Sequence, residues 1–458
     1  MKKFSAVSSL GIMLLIVMTA SGQDPASMAV NTWMSIPSTH MRTVMPSSAQ
    51  YPNIQGNTGV SAVMSAWCGG ALDTKRNRLI IWGGGHGDYY GNELYAFSVD
   101  SLKWLRLTDP CANPTLSSNV NADGTPVSRH TYNQIAYASD ADRFFAFSGS
   151  RQGDGGWVGN ASLFNFDTKT WTFPSMAGGP PGAIGACCAY DPNSKKVYFS
   201  VNYQAYGGNG TGLFSFNPAA NSWTKHNSDD ILYYFTMVVD PKRNLLLAVG
   251  NGNVYAYDLA NISAARQTWS TTGGSAFISK SNVGLAYDPA TDKIVGWSGG
   301  AVYALDPDTK AWTSYNPSGP PTPSGTGTYG RWQYVPGVNA FISANSIDDN
   351  VYFYKFSAGT GTGLAPVKVS PATASPLYAQ PNPFNGKTRI FARLPGNTGG
   401  MTFRMTDING RQVIGMRTHE QKPGSGAELN ARDLTSGIYL LTATAGGKQY
   451  STRLLLQK

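Results

Sequence analysis

Leu79-Ile-Ile-Trp-Gly-Gly-Gly-His-Gly-Asp-Tyr-Tyr-Gly-Asn-Glu-Leu-Tyr-Ala-Phe-Ser-Val-Asp-Ser-Leu-Lys-Trp104 is the stretch that decides the fold. It reads as an apolar strand, Leu79 to Trp82, a glycine-rich loop, a second strand from Leu94 to Val99, a turn at Asp100 and Ser101, and a strand carrying Trp104. Gly83, Gly84 and Gly85 stop the first strand, because glycine alone takes positive φ without a steric cost. The loop also holds a histidine, His86, that packing does not require.

The same unit recurs down the chain. An apolar strand ends in Asp or Pro. A second apolar strand ends in Gly or Asn. An aromatic strand follows, and then a strand carrying Trp. Ala66 to Trp104 is the first such unit and His130 to Trp171 the second. The next three run from Cys187 to Trp223, Phe235 to Trp269 and Val283 to Trp312. The sixth, Arg331 to Phe356, lacks its Trp strand, whereas Asn31-Thr-Trp-Met-Ser-Ile36 stands alone before the first unit. A circular array explains both facts, since the N-terminal strand then completes the last unit and removes two exposed edges. The expectation is an all-β chain: a six-bladed β-propeller, or seven blades if residues 366–377 add strands.

Composition agrees with an all-β reading. The chain of 458 residues has 52 glycines, few charges and no long 3.6-residue periodicity. The net charge of +9 sits at the two ends. Residues 1–23 carry two Lys and no acid, and residues 378–458 carry 11 Lys/Arg against 4 Asp/Glu. The remaining stretch balances at 22 of each. Charge therefore gives no argument for nucleic acid. Lys2, Lys3 and the apolar run Leu10 to Met18, followed by Ala20-Ser-Gly22, read as a cleaved signal peptide spanning residues 1–22, too short for a stable membrane span. Cys68, Cys111, Cys187 and Cys188 are either paired in the export compartment or small buried hydrophobes; their spacing matches no zinc pattern.

Gly83-Gly84, Gly299-Gly300, the aromatic third strands and the spaced Trp residues resemble the kelch repeat over roughly residues 30–356. This implies a kelch-like propeller over residues 23–356. Residues 357–377 then form a Gly/Thr-rich linker. The tail carries Pro381-Asn-Pro-Phe384, Asp407-Ile-Asn-Gly-Arg411 and Leu434-Thr-Ser-Gly-Ile-Tyr439. Residues 378–458 thereby resemble the C-terminal sorting domain of type IX secretion substrates. A small β-sandwich, engagement of the type IX machinery and a secreted or surface location are what that resemblance implies.

Alternation of strand direction puts the loops between second and third strands on one face with the connections between units. His86, Asp88, Tyr89, Tyr90, Asn92 and Glu93 fall there, with Arg129 and His130, Arg151 and Trp157, Tyr203 and Tyr206, and Arg331. The long connection from Thr108 to Ser128 is placed to act as a lid. Each residue also has a structural reading: His86 on backbone carbonyls, His130 as a packing residue, Arg331 in a salt bridge with Asp88 or Glu93. Read together they resemble the mouth of propeller polysaccharide lyases acting on uronate glycans. That resemblance implies a base at His86 or His130, an acid or base at Tyr90, and carboxylate neutralisation by Arg331 or Arg129. Asp88, Tyr89, Asn92, Glu93, Arg129, Arg151, Trp157, Tyr203 and Tyr206 would line the substrate. No metal or other cofactor is expected for that chemistry. A non-catalytic propeller binding glycan or protein through its aromatics is the alternative, and a copper radical oxidase of the galactose oxidase type ranks below both.

Overall fold

The structure, a computed structural model, describes residues 24–201, 211–229, 231, 233–358, 377–380, 384–392, 401–407, 411–418, 427–445 and 448–456. The signal peptide, Tyr203, Tyr206 and residues 359–376 of the linker lie outside the described residues. The chain divides into two compact units, Met1–Ala365 and Pro366–Lys458.

Among the described residues the first unit holds six four-stranded antiparallel sheets. Their first strands are Gly70–Asp73, Ile135–Ala138, Cys187–Asp191, Thr236–Asp240, Gly284–Asp288 and Trp332–Val335. Each sheet runs as a simple meander, except that the sixth takes its outer strand from Thr32–Ile36. That strand pairs antiparallel with Val351–Lys355, in register from Thr32 opposite Lys355 to Ile36 opposite Val351. First strands of successive sheets lie side by side, and Gly70–Asp73 also lies beside Trp332–Val335. A cavity of about 400 Å3 is lined by residues of all six first strands.

The recurrent residues have local causes. Asp73, Asp191, Asp240 and Asp288 are fully buried at the ends of first strands, because each caps its own turn: Asp240 Oδ1 accepts the backbone N–H of Lys242 and of Arg243, each at 3.1 Å. The turns close on Asn77, Asp142, Lys195, Asn244, Asp292 and Asn339, all at positive φ. Asn and Asp tolerate that conformation better than other non-glycine residues, and five of these six turns use them. Several outer-strand tryptophans pack on the preceding sheet, whereas Trp269 of the fourth shares a core with the fifth and lies under Lys310. Trp171 meets Trp82 at 5.3 Å, Trp223 meets Phe147 at 5.1 Å and Trp33 meets Trp297 at 5.3 Å between ring centroids. A large ring facing a neighbouring sheet at each repeat is what makes the Trp spacing periodic.

Ion pairs tie neighbouring turns. Arg243 donates to Asp240, Asp292 and Asp308, and Arg76 repeats the arrangement with Asp73, Asp142 and Asp167. The four cysteines are buried and unpaired, which agrees with their reading as small hydrophobes.

The second unit has a three-stranded sheet of Leu377–Gln380, Lys387–Ala392 and Ala427–Asn430, and a four-stranded sheet of Met401–Thr406, Gln412–Thr418, Gly437–Ala445 and Lys448–Leu456. Leu377, Ile390, Phe403, Leu429, Leu441 and Leu454 from both sheets share one buried core. Among the described residues no helix is long and apolar enough to cross a membrane.

Candidate functional site

The connections that lead into the first strands converge. Their backbones are hydrogen-bonded from sheet to sheet: Tyr132 N to Trp67 O, Cys188 N to Asn133 O, Tyr234 N to Gly185 O, Asn282 N to Tyr234 O and Thr328 N to Asn282 O, at 2.7 to 2.9 Å. Trp67, Tyr132, Tyr234 and Tyr329 take positive φ there, between 45° and 67°. Bulky residues rarely adopt that conformation, and the surrounding bonds hold them in it. The result is an aromatic cluster at the convergence: Tyr132 lies 5.9 Å from Tyr234 and 6.2 Å from Tyr329, and Trp67 lies 5.3 Å from His130.

His86 and His130 sit beside it. A two-residue ladder, Arg129–His130 on Ser150–Arg151, sets His130 in place. His86 N donates to Arg151 O at 3.1 Å, which ties the glycine loop to the same ladder. The two imidazoles stand edge to face at 5.5 Å. His86 is exposed, whereas His130 is 2% exposed. Gly155 makes room for His86, since a Cβ there would lie 2.1 Å from His86 Cδ2. His130 Nε2 meets Asp88 Oδ2 at 2.9 Å. A carboxylate only accepts, so Nε2 carries the proton and Nδ1 is bare. Asp88 Oδ1 accepts from Thr58 Oγ1 at 2.6 Å, and the Asp88 carbonyl accepts from Thr58 N and Gly59 N.

Burial pushes the His130 pKa down to about 4, against the opposing pull of Asp88 and with a further small lowering from His86. The unfolded imidazole takes up its proton near the ordinary value of about 6.5. Between those values the unfolded chain binds more protons, so folding weakens as pH falls from about 6.5 towards 4. Titration followed by NMR of the imidazole nitrogens is expected to keep His130 neutral at pH 6. A midpoint above 6 would refute the enclosed setting.

The remaining expected site residues divide. Asp88, Tyr90 and Arg151 are partly exposed, and Trp157 is 40% exposed. Tyr233, 39% exposed, joins Tyr234 at 4.6 Å. Gly182 accommodates the Trp157 ring, and Gly185 the Tyr234 ring and the Tyr233 Cβ. Tyr89, Asn92 and Glu93 are enclosed. Tyr89 Oη and Tyr95 Oη both donate to Glu93 Oε1, at 2.6 and 2.5 Å, and burial raises the Glu93 pKa. Asn92 donates to Thr125 Oγ1 and Pro126 O and accepts from Cys111 N. All three are buried, and a ligand lining role does not fit their burial.

The same holds for two arginines. Arg129 is 1% exposed, lies 5.1 Å over Trp82 and donates to the carbonyls of Val127 and Ser148. Arg331 is fully buried and donates to the carbonyls of Met64, Gly327 and Thr328. Its partners are backbone groups, not Asp88 or Glu93. Neutralising a ligand carboxylate needs an accessible cation, which neither guanidinium supplies. The connection from Thr108 to Ser128 is pinned by Asn92, by Gln152, which bonds Thr115 O and Ser128 N, and by Arg151 Nη1 on Asn119 Oδ1. Among the described residues no group of three or more His, Cys, Asp or Glu is arranged to hold a metal ion.

Sequence reasoning passed over Thr58, Trp67 and Tyr132. Thr58 belongs to a segment outside the repeat, where nothing marks it as a partner of Asp88. Tyr132 stood in view beside His130, and only its backbone conformation reveals its place.

A comparison with curated proteins finds no match. Among solved structures, the chain is similar to a chain of a nidogen/laminin complex, at 9% identity and a TM-score of 0.38, over 56% of this chain and 81% of that one. It is also similar to the extracellular domain of a one-component system from B. thetaiotaomicron, at 11% identity and a TM-score of 0.36, over 83% of this chain and 49% of that one. Residues 378–457 match the model of the secretion system C-terminal sorting domain. The chain therefore ends in a type IX sorting domain and is exported by that route, to the cell surface or beyond it.

Proposed function

We propose that residues 23–356 form a six-bladed kelch-like β-propeller, joined by a linker over 357–377 to the sorting domain, and that the exported protein binds a glycan at the face bearing His86, His130, Trp157 and Tyr233. Six four-stranded sheets, the pairing of Thr32–Ile36 with Val351–Lys355 and the shared cavity support the propeller reading. The observation that carries the binding reading is the exposure of Trp157 and Tyr233, Trp157 bridged to Ser150 next to the His130 ladder and Tyr233 set edge to face against Tyr234 of the aromatic cluster. Large rings left in water suit the apolar faces of sugar rings.

Binding of the full chain to a glycan array tests this. Trp157→Ala is expected to weaken affinity roughly 30-fold, the equivalent of about 2 kcal/mol for a central aromatic anchor. His86→Ala is expected to leave most of it. Equal binding by Trp157→Ala and the parent would refute the anchor role.

The exposed His86 beside the His130–Asp88 pair favours a second reading, β-elimination on uronate glycans with His86 as base. It requires absorbance near 235 nm to rise on incubation with a uronate polymer and the rise to vanish in His86→Ala. The enclosed Arg129 and Arg331 weigh against it.

A further inference from the structure

We infer that the first unit carries a second ligand site, the cavity between its six first strands, and that this cavity takes a small uncharged amide with an apolar body. The site is separate from the proposed glycan face and stands or falls without it.

Its volume of about 400 Å3 lies within the roughly 300–1,000 Å3 of small-molecule sites. The lining runs along the first strands, from Gly70, Asn133 and Gly330 near their starts to Thr74, Pro192 and Pro289 at their turns. The starting residues are buried and the turn residues exposed, so the cavity opens at the turns. Gly70 and Gly330 close the inner end between the first and sixth sheets, where a Cβ on Gly330 would lie 2.0 Å from Gly70 O. Asn133 closes it from the second sheet. Its carbonyl accepts from Cys188 N at 2.7 Å and its Oδ1 from Met237 N at 2.9 Å, which ties that sheet to the third and the fourth. Tyr132 and Tyr329, next in the chain to Asn133 and Gly330, are 3% and 0% exposed. The opening is thus at the other end of the strands from the Arg129–His130 ladder, which leads into the second sheet.

The inner end is where a ligand is called for. Asn133 is 5% exposed and lines the cavity. Met237 N–H needs an oxygen, which fixes the amide: Oδ1 is engaged, and Nδ2 has no partner among the described residues. A donor enclosed in this way calls for an acceptor. Gln333, also in the lining, supplies the opposite function. Its Nε2 donates to Gly330 O at 2.9 Å, which leaves Oε1 to accept. An amide offers a carbonyl to the first and an N–H to the second. Ile135, Val238 and Leu285 supply apolar wall, with Tyr137, Tyr190, Tyr287 and Tyr334 at matching strand positions. The tyrosine hydroxyls donate to Asp142, Asp140, Asp292 and Asn339 at 2.7 to 3.0 Å, which fixes the rings. Among the described residues no Asp, Glu, Lys, Arg or His lines the cavity. A charge carried to its inner end is desolvated without a counter-charge there.

The test uses the full-length protein labelled with 13C in its methionine methyls, with the Met237 resonance assigned by Met237→Leu. The probes are 4-fluoroacetanilide, a neutral amide, and 4-fluorobenzoate, a carboxylate on the same ring. The amide is expected to move the Met237 resonance saturably, with a Kd on the order of 1 mM as suits so small a molecule. The carboxylate is expected to bind at least about tenfold more weakly. Ala189→Phe places a ring in the cavity from a partly exposed position and should weaken the amide by about tenfold or more. If that variant does not fold, the Met237 shift and the probe comparison in the parent decide alone. A Met237 resonance that neither probe moves leaves the cavity to solvent and overturns the inference. Equal binding of the two probes, or undiminished binding by a folded Ala189→Phe, overturns it as well.

Discussion

Arg243→Ala is expected to lower the stability of the first unit by about 3 kcal/mol, at the low end of the 3–5 kcal/mol seen when one partner of a buried ion pair is removed. Arg243 is the centre of a four-residue network. Nη1 bonds Asp240 and Asp292 at 2.9 and 2.8 Å, Nη2 bonds Asp292 and Asp308 at 2.7 and 2.6 Å, and Nε bonds Asp308 at 2.6 Å. Asp240 belongs to the fourth sheet; Asp292 and Asp308 belong to the fifth. The guanidinium therefore clamps two sheets, and the Asp240 side chain is fully buried. Alanine leaves that carboxylate enclosed with only its turn N–H donors, and leaves Asp292 with Lys242 and Tyr287. Arg243→Lys keeps the charge and loses the fork, so it should recover part of the loss.

Acid should act on the same clamp. The hydrogen bonds from Arg243 hold the Asp292 carboxyl well below the usual carboxylate range. A depressed folded-state pKa stabilises the fold above the unfolded value and loses that contribution as pH falls through the folded value. The parent should then lose stability below about pH 4 more steeply than Arg243→Ala does. Denaturant unfolding followed by tryptophan emission reads the first unit alone, because all 11 tryptophans precede the tail. A change below about 0.5 kcal/mol would reduce the network to an ordinary surface ion pair.

How much of this was legible beforehand depends on whether a residue's signal is local. Asp240-Pro241 and Asp288-Pro289 announce turns by chemistry that needs only their own backbone, and the structure turns there. The Trp spacing was visible because the sheets use a ring to fill the gap to a neighbouring one. Pro381-Asn-Pro-Phe384 and Leu434-Thr-Ser-Gly-Ile-Tyr439 pointed to a sorting domain, and the family match covers them. The site was half legible. His86 and Trp157 were visible as residues their loops do not need. The burial of Arg129, Arg331 and Glu93 was not, because charged side chains are ordinarily solvated and only the packed structure shows the carbonyls and hydroxyls that replace water. The segment from Met41 to Ser65 was missed altogether. It forms short helical turns outside the repeat, yet it sends Ile54, Val63 and Met64 into the core and Thr58 to Asp88.

Gly85→Ala is expected to cost about 3 kcal/mol or more and to break the His130–Asp88 contact. Two effects add. Gly85 has φ +75°, a conformation that costs an L-residue roughly 1–2 kcal/mol. In addition, a Cβ there would lie 2.4 Å from both Arg129 Cα and His130 N. Those are backbone atoms held by the Arg129–His130 ladder, so no rotamer change relieves the overlap. The loop cannot easily retreat either, since Gly85 N donates to Tyr89 O at 2.7 Å and Gly85 O accepts from Asp88 N at 2.8 Å. The displacement therefore falls on the segment carrying His130. Gly252→Ala separates the two effects: its φ is +81° and a Cβ there meets nothing within 4 Å. It should lose only the conformational part, about 1 kcal/mol. Thermal unfolding compares the variants, and the His130 imidazole resonances report the site. If Gly85→Ala lost no more stability than Gly252→Ala and kept those resonances, the close approach of the glycine loop to His130 would be slack. The fixed spacing of the two imidazoles would then have to come from the Arg151 carbonyl alone.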